Sequence, residues 1–256
     1  MKKPTLYLLL FGLLIFSFRA GAQQVAVGIR GGIGMASLSG GDGNVNPLVV
    51  DYETRLAPGA GIFAEFKFSD LFSLQPTIEY SSQGGMRDGL QAFATPGGIA
   101  QTFPPGNAPQ YVYANYKSEA EFNYLTFPLL LKFGWNLKKS PFRFYVDGGP
   151  FAGWLLSAHK ETSGESQFYS DAAGQQPYPG GAQSFNKTTD VKNQLHQFNF
   201  GMELNAGFSY KLGTNSVFIE LGENVGAGNI QKFASDGHND TGSTTMAIGY
   251  AYWFGK

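Results

Sequence analysis

The chain has 256 residues and a net charge of -1, with 18 Lys and Arg against 19 Asp and Glu, which gives no electrostatic case for a nucleic-acid partner. It has no cysteine, so disulfides, thiolate metal sites, a Cys nucleophile and a lipidated N-terminal Cys are excluded together. Charged residues make up 14% of the sequence, against about 25% in a usual soluble domain, while glycines number 35 and aromatics reach 15%. That is too few charges to coat a soluble domain of this length.

At the N-terminus, Lys2 and Lys3 precede the apolar run Leu6 to Phe18, and Ala20-Gly21-Ala22 supplies small residues for cleavage. Residues 1–22 therefore read as a cleaved secretory signal, and the single remaining domain is 23–256. The run is short for a transmembrane anchor and Arg19 closes it. No other segment has the roughly 18 consecutive apolar residues that a membrane helix needs.

The mature chain then alternates with a period of two, the signature of strands. The first strand sets Val25, Val27, Ile29, Gly31, Ile33 and Met35 against Gly28, Arg30, Gly32 and Gly34. A Gly, Asn and Asp-rich loop follows from Ser37 to about Leu56. The second strand carries Ile62, Ala64, Phe66 and Phe68 opposite Glu65 and Lys67, and the chain reverses at Ser69-Asp70. The third has Phe72, Leu74, Pro76, Ile78 and Tyr80 against Ser73, Gln75, Thr77 and Glu79. A second long loop, Ser82 to about Ser118, has no sustained period.

The next pair forms the clearest hairpin of the chain. Leu125, Phe127, Leu129, Leu131, Phe133 and Trp135 alternate up to the break Asn136–Pro141. Alternation resumes at Phe142, Phe144 and Val146 and runs to Trp154 and Leu156, with Lys132, Arg143, Tyr145 and Asp147 on the other face. A third loop, about Ala158 to Gln194, leads to the sixth strand, with Phe198 to Tyr210 opposite Asn199, Glu203, Asn205 and Lys211. The seventh strand, Val217, Ile219 and Leu221, follows a short turn. A loop from about Gly226 to Gly242 precedes the eighth, Met246 to Phe254.

Loops thus alternate long and short between eight strands, the asymmetry of bacterial outer-membrane barrels with short periplasmic turns and long extracellular loops. The expected fold is all-β, an eight-stranded antiparallel up-and-down transmembrane β-barrel. The charges decide which face meets lipid. One face carries Arg30, Glu65, Lys67, Glu79, Lys132, Arg143, Asp147, Glu203, Lys211 and Glu220, five of each sign. The opposite face is nearly free of charge, as it must be where a mid-bilayer Lys or Arg costs about 2–4 kcal/mol. We therefore expect a neutralised lumen charge network, since buried charges persist only when paired.

Phe68, Phe72, Phe133, Trp135, Phe142, Phe144, Phe208, Tyr210, Tyr252 and Phe254 lie near the short turns, where they form a periplasmic aromatic girdle, and Tyr80, Trp154 and Phe198 mark the outer rim. Pro76, Pro128 and Pro150 fall inside strands of a barrel that has no free edge, so bulges or bent ladders are expected there.

Asn123-Tyr124-Leu125-Thr126-Phe127-Pro128-Leu129-Leu130-Leu131-Lys132 resembles the Tyr-Leu-x-x-Pro-Leu-x-x-Lys signature of a Bacteroidetes outer-membrane β-barrel family, often called PorT-like or porin-family proteins. Gly28 to Leu38, Gly148-Gly149-Pro150-Phe151 and Gly249 to Phe254 support the resemblance, and together the matches cover the mature chain. The last strand also resembles the signal read by the barrel-insertion machinery, Gly-x-x-aromatic-x-aromatic, at Gly249, Tyr252 and Phe254, although Gly255 and Lys256 follow it. The resemblance implies the fold and an outer-membrane location in a Bacteroidetes-like bacterium. One branch of the family is linked to a protein secretion system.

Little in the sequence points to catalysis. His159, His196 and His238 lie in or beside long loops, and His238-Asn239-Asp240 is their one cluster; a solvated loop histidine is the plainer reading. Asp42-Gly43-Asn44 has calcium-loop composition but reads better as a glycine-rich turn. We expect no catalytic residue, no metal and no cofactor. Eight strands leave a lumen just wide enough for side chains, so the charged set reads as a plug rather than a selectivity filter. The expected role is a structural or surface-binding scaffold. The alternatives are a narrow channel or an accessory of a secretion system. Tyr111, Tyr113, Tyr116, Phe168, Tyr169, Tyr178 and Phe185 suit a protein or glycan partner, and equally suit packing of the loops onto the barrel mouth. Expected partners are outer-membrane lipid, the barrel-insertion machinery and an extracellular protein or glycan, with the barrel itself a monomer.

Overall fold

A computed structural model describes residues 24–40, 52–233 and 237–255. The expected signal segment and Asp42-Gly43-Asn44 lie outside the described residues. In chain order the elements are β1 (Gln24–Gly40), β2 (Arg55–Lys67), β3 (Phe72–Arg87), β4 (Leu90–Ala94), a one-turn helix α1 (Gly97–Ala100), β5 (Tyr111–Asn115), β6 (Lys117–Asn136), β7 (Phe142–Ser163), β8 (Glu165–Ser166), β9 (Gln183–Ser184), β10 (Lys187–Asp190), a 3-10 turn at Lys192–Gln194, β11 (Phe198–Leu212), β12 (Asn215–Gly226) and β13 (Asn239–Phe254).

Eight of these strands close a ring, β1-β2-β3-β6-β7-β11-β12-β13, and β10 adds a ninth strand along the upper part of β7. Every pairing is antiparallel, and β1 meets β13 from Val25↔Phe254 to Gly40↔Asn239, so the sheet has no open seam. Among the described residues no helix is long and apolar enough to cross a membrane; the strands do the crossing. The side-chain period then sorts the two faces. Ile33, Leu204, Leu221 and Ile248 are at least 60% exposed, whereas Arg30, Glu65, Lys132, Asp147, Glu203 and Glu220 are all below 8%. This inverts a soluble barrel: the apolar side faces outward and the ionisable side is buried.

The short-turn end is built as the alternation implies. Gly213-Thr214 closes a two-residue turn between Leu212 and Asn215, with Gly213 at φ 67°, a left-handed conformation that glycine adopts without steric cost. The Ser69 hydroxyl accepts from the Phe72 amide at 3.0 Å and ties the β2–β3 turn. Phe68, Phe72 and Phe133 form one run of ring contacts, and Trp135, Phe144 and Phe208 another. Phe142 meets Tyr210 and Tyr252 meets Phe254, so rings line this rim along much of its circumference. At the other end Trp154 meets Phe198 edge to face, with ring centroids 4.8 Å apart.

Two expectations need correction. The ladders do open beside Pro76, Pro128 and Pro150, but register is kept across each gap: Pro76↔Leu129 resumes at Glu79↔Thr126, and Pro128↔Phe151 resumes at Leu131↔Gly148. The missing amide of proline deletes ladder bonds without inserting a residue. The register shift lies elsewhere, between Asn123 and Tyr124, opposite Leu156. The second correction concerns length. β6 and β7 have 20 and 22 residues, about twice the 9–11 that cross a bilayer. Residues expected in loops, 82–87, 117–118 and 158–163, are strand in the structure. They lose the apolar alternation because they stand above the membrane, where neither face meets lipid.

Candidate functional site in the lumen and at its mouths

The middle of the barrel holds one connected polar network. Arg30, from β1, reaches Glu79 at 3.3 Å, Glu203 at 3.1 Å and Glu220 at 3.3 Å. Lys132, from β6, pairs with Glu65 at 3.4 Å and Asp147 at 3.7 Å, donates to the Gln75 amide oxygen, and sits 4.4 Å from the centre of the Tyr145 ring. Asn205 joins the two halves, donating to Asp147 at 2.8 Å and to Glu203 at 2.9 Å. The Tyr145 hydroxyl donates to Glu220 at 2.9 Å and the Ser73 hydroxyl to Glu65 at 2.7 Å. Seven of the eight strands contribute, with β13 the exception. Each carboxylate here is held by a cation or a neutral donor, as desolvated charges require.

The expected balance of five and five is not what the lumen contains. Arg30 and Lys132 face Glu65, Glu79, Asp147, Glu203 and Glu220, two cations against five carboxylates. Lys67, Arg143 and Lys211 lie lower, at the short-turn mouth: Lys67 pairs with Asp70 at 2.8 Å, Arg143 donates to the Asp70 carbonyl at 2.8 Å, and Lys211 is exposed. Alternation identifies the face of a strand but not the height along it. Residues two apart share a face and differ by about 6.6 Å along the strand.

Among and beside the ions, aromatic rings fill the lumen. Phe63 lies over Gly28, Phe218 over Gly249 and Tyr145 over Gly207, each so close that a Cβ on the glycine would fall within 2.5 Å of the ring or its hydroxyl. Phe63 meets Phe218 and Phe218 meets Tyr145 edge to face. A cavity beside Arg30, Glu79, Ser81, Ser243 and Thr245 has a volume of about 20 Å³, room for roughly one water.

Above the ions apolar side chains pack together at the mouth. Leu38, Phe122, Tyr124, Leu155 and Ala158 from the wall pack with Val191, Leu195 and Ile230 from the loops, and all are buried. Backbone bonds fasten the loops there: Val191 N–H to the Ala158 carbonyl at 3.0 Å and His196 N–H to the Ile230 carbonyl at 2.8 Å. Lys192 donates to the Leu156 carbonyl at 2.6 Å and Lys232 to the Asn193 carbonyl at 3.1 Å. Beside this cap Arg55 clamps Glu119 at 3.0 Å and Glu121 at 3.1 Å.

Of the loop aromatics, Tyr116 is buried and stacks on Phe185 at 4.7 Å, Phe168 meets Phe185 at 5.8 Å, and Phe103 meets Tyr178 at 5.7 Å. Tyr113 and Tyr169 exchange backbone bonds, and Tyr111 pairs with Ala94 in the β4–β5 hairpin. All eight of these aromatics are at least half-buried, none fully displayed to solvent. They join the second loop to the third. His238 and Asp240 are 3.2 Å apart near the mouth, and His159 and His196 are exposed. Among the described residues no group of three or more His, Cys, Asp or Glu is arranged to hold a metal.

A family model described as an outer membrane protein beta-barrel domain matches residues 21–230. The chain belongs to this family of outer-membrane β-barrels. Its place is therefore the outer membrane of a Gram-negative bacterium, with the apolar band in lipid. No curated protein matches the sequence. Among solved structures, the Neisserial surface protein A is 11% identical over 88% of this chain and 97% of its own, with a TM-score of 0.37. Ail, the attachment invasion locus protein of Yersinia pestis, is 10% identical over 90% and 100%, also at 0.37. OprG of Pseudomonas aeruginosa is 14% identical over 92% and 99%, with a TM-score of 0.39.

Sequence reading missed Gln75, Tyr145 and Asn205 as network members, although all three lie on the charged face of the alternation. Leu195 and Ile230 carried no signal, because an isolated apolar residue in a polar loop has no period to belong to.

Proposed function

We propose that this outer-membrane barrel is non-enzymatic, has a lumen closed to solutes, and acts as a binding scaffold for an extracellular protein or glycan through the surface built above β3, β6, β7 and β10. The observation that carries this reading is the docking of Val191, Leu195 and Ile230 onto Leu155 and Phe122. Loops folded down on an apolar cap close the pore and at the same time present their polar side outward in a fixed shape. Export by cleavage after Ala22 and a PorT-like lineage in a Bacteroidetes-like bacterium, with the accessory secretion role of one branch as the second reading, rest on the sequence motifs.

Replacing residues 89–115 by a short Gly-Ser linker leaves the β3–β6 ladder in place. We expect the variant to keep heat-modifiable migration on gels, the mark of a folded barrel, and to lose cell-surface adhesion to the native partner. Adhesion equal to wild type would refute the scaffold role of this loop.

A further inference from the structure

The three cations that the lumen network leaves out have a place of their own. At the short-turn mouth a cavity of about 740 Å³ is lined by Lys67, Lys138, Lys139, Arg143 and Lys211, with Asp70 the lone carboxylate side chain that lines it among the described residues. Lys67, Arg143 and Lys211 come from the inward faces of β2, β7 and β11, and Lys138 and Lys139 from the β6–β7 turn. The Lys211 N–H donates to the Pro141 carbonyl at 3.0 Å, which fixes the end of β11 against that turn. Lys139 holds φ 59°, a left-handed conformation uncommon for a lysine.

Arg143 is placed by packing. Its guanidinium lies across Gly134, where a Cβ would fall 2.3 Å from Nε. Nη1 donates to the Asp70 carbonyl and to the Asn136 side chain, while Nη2 is buried with no hydrogen-bond partner among the described residues. Asp70 reports the local field: the hydrogen bond from Lys67, then the charge of Lys67, then Arg143 and Lys211, hold its carboxyl below the usual range. The rim around this mouth carries Trp135, Phe142, Tyr210 and Tyr252, residues that settle at headgroup depth.

We propose that the short-turn mouth is a phosphate-binding vestibule, in which Lys67, Lys138, Lys139, Arg143 and Lys211 hold either the phosphate of an inner-leaflet phospholipid headgroup or a free phosphate ion. Five cations around one concave opening favour a compact oxyanion, and the planar Arg143 fork matches phosphate geometry. The excess of positive charge here stands opposite the excess of carboxylate higher in the lumen, so an anion at the mouth settles where the field of the chain favours it.

The test uses the folded mature barrel and two probes. One is inorganic phosphate, titrated calorimetrically in neutral detergent at low salt. The other is phosphatidylglycerol in phosphatidylcholine nanodiscs, with retained lipid counted by native mass spectrometry. The variant Lys138→Gln/Lys139→Asn/Lys211→Gln leaves Lys67 and Arg143 in place, and its fold is checked by heat-modifiable migration. We expect saturable binding of at least one probe by wild type and a loss of about 100-fold in the variant, roughly fivefold for each lysine. Binding of phosphate identifies a free-anion site, and retention of phosphatidylglycerol without phosphate binding identifies a headgroup site. A control, Lys117→Gln/Lys160→Gln/Lys187→Gln, removes equal charge at the opposite mouth and is expected to bind as wild type. Saturable binding of neither probe, binding undiminished in the vestibule variant, or equal loss in the control would each overturn the proposal.

Discussion

The middle of the lumen and its outer mouth are filled by different physics. In the middle, Arg30 and Lys132 satisfy carboxylates contributed by five other strands, so seven strands are tied together by two cations. At the mouth, Leu195 and Ile230 arrive from distant loops and pack on Leu155 and Phe122 with no charge involved. Removing a cation from the first leaves its partners uncompensated, whereas removing a methyl group from the second leaves only a void. The ionic layer is therefore a property of the barrel wall, and the cap is a property of the loops.

The sharpest way to break this comparison is Arg30→Ala. Glu79, Glu203 and Glu220 then lose their cation, and stripping one partner from a buried ionic cluster costs about 3–5 kcal/mol. Denaturant unfolding in detergent, followed by tryptophan fluorescence, should show that loss for the whole barrel. A loss under 1 kcal/mol would mean that the network contributes little to holding the wall.

The wall itself is tested on its other face by Leu204→Arg. Leu204 is 64% exposed at the centre of the β11 apolar run, and a mid-bilayer arginine costs about 2–4 kcal/mol. That cost should appear in lipid vesicles and vanish in a soluble-loop substitution such as Gln175→Arg.

At the mouth, Leu195→Ala should cost about 2 kcal/mol, the low end for a buried leucine because a loop relaxes into the void. Limited proteolysis should then cut residues 187–197 faster, with the heat-modifiable band unchanged. A global drop in barrel stability would erase the distinction between wall and cap.

The smallest effect belongs to the short-turn rim, in Lys67→Gln. Asp70 loses the hydrogen bond and charge that depress its carboxyl, so its titration measured by NMR should move up toward the ordinary carboxylate range. The sign follows: a depressed carboxylate adds stability above its unfolded value and loses it as pH falls through the lowered one. The variant should therefore lose less stability than wild type between neutral pH and pH 3.

The wall was legible because lipid imposes a period of two on one face and excludes charge from it. Val27 to Met35 and Phe198 to Tyr210 carry that signal unbroken, and with it come strand order, turn ends and the aromatic girdle. Depth was not legible: Lys67, Arg143 and Lys211 share the inward face with Lys132 yet sit at the mouth, because alternation has no vertical coordinate. The upper parts of β6 and β7 were hidden for the opposite reason. Above the membrane neither face of Lys117 to Glu121 and His159 to Ser163 meets lipid, so their strand character lies in hydrogen bonds rather than in polarity. The cap was hidden because Leu195 and Ile230 find their partners only after the chain has folded.

Conductance of the purified, folded barrel in planar bilayers is the most direct measurement of whether these two layers close the pore. With Arg30, Lys132 and the cap residues intact, traces at baseline are expected for inserted protein, insertion being verified by protease protection of the strands. Reproducible single-channel steps from that same wild-type protein would contradict a closed lumen.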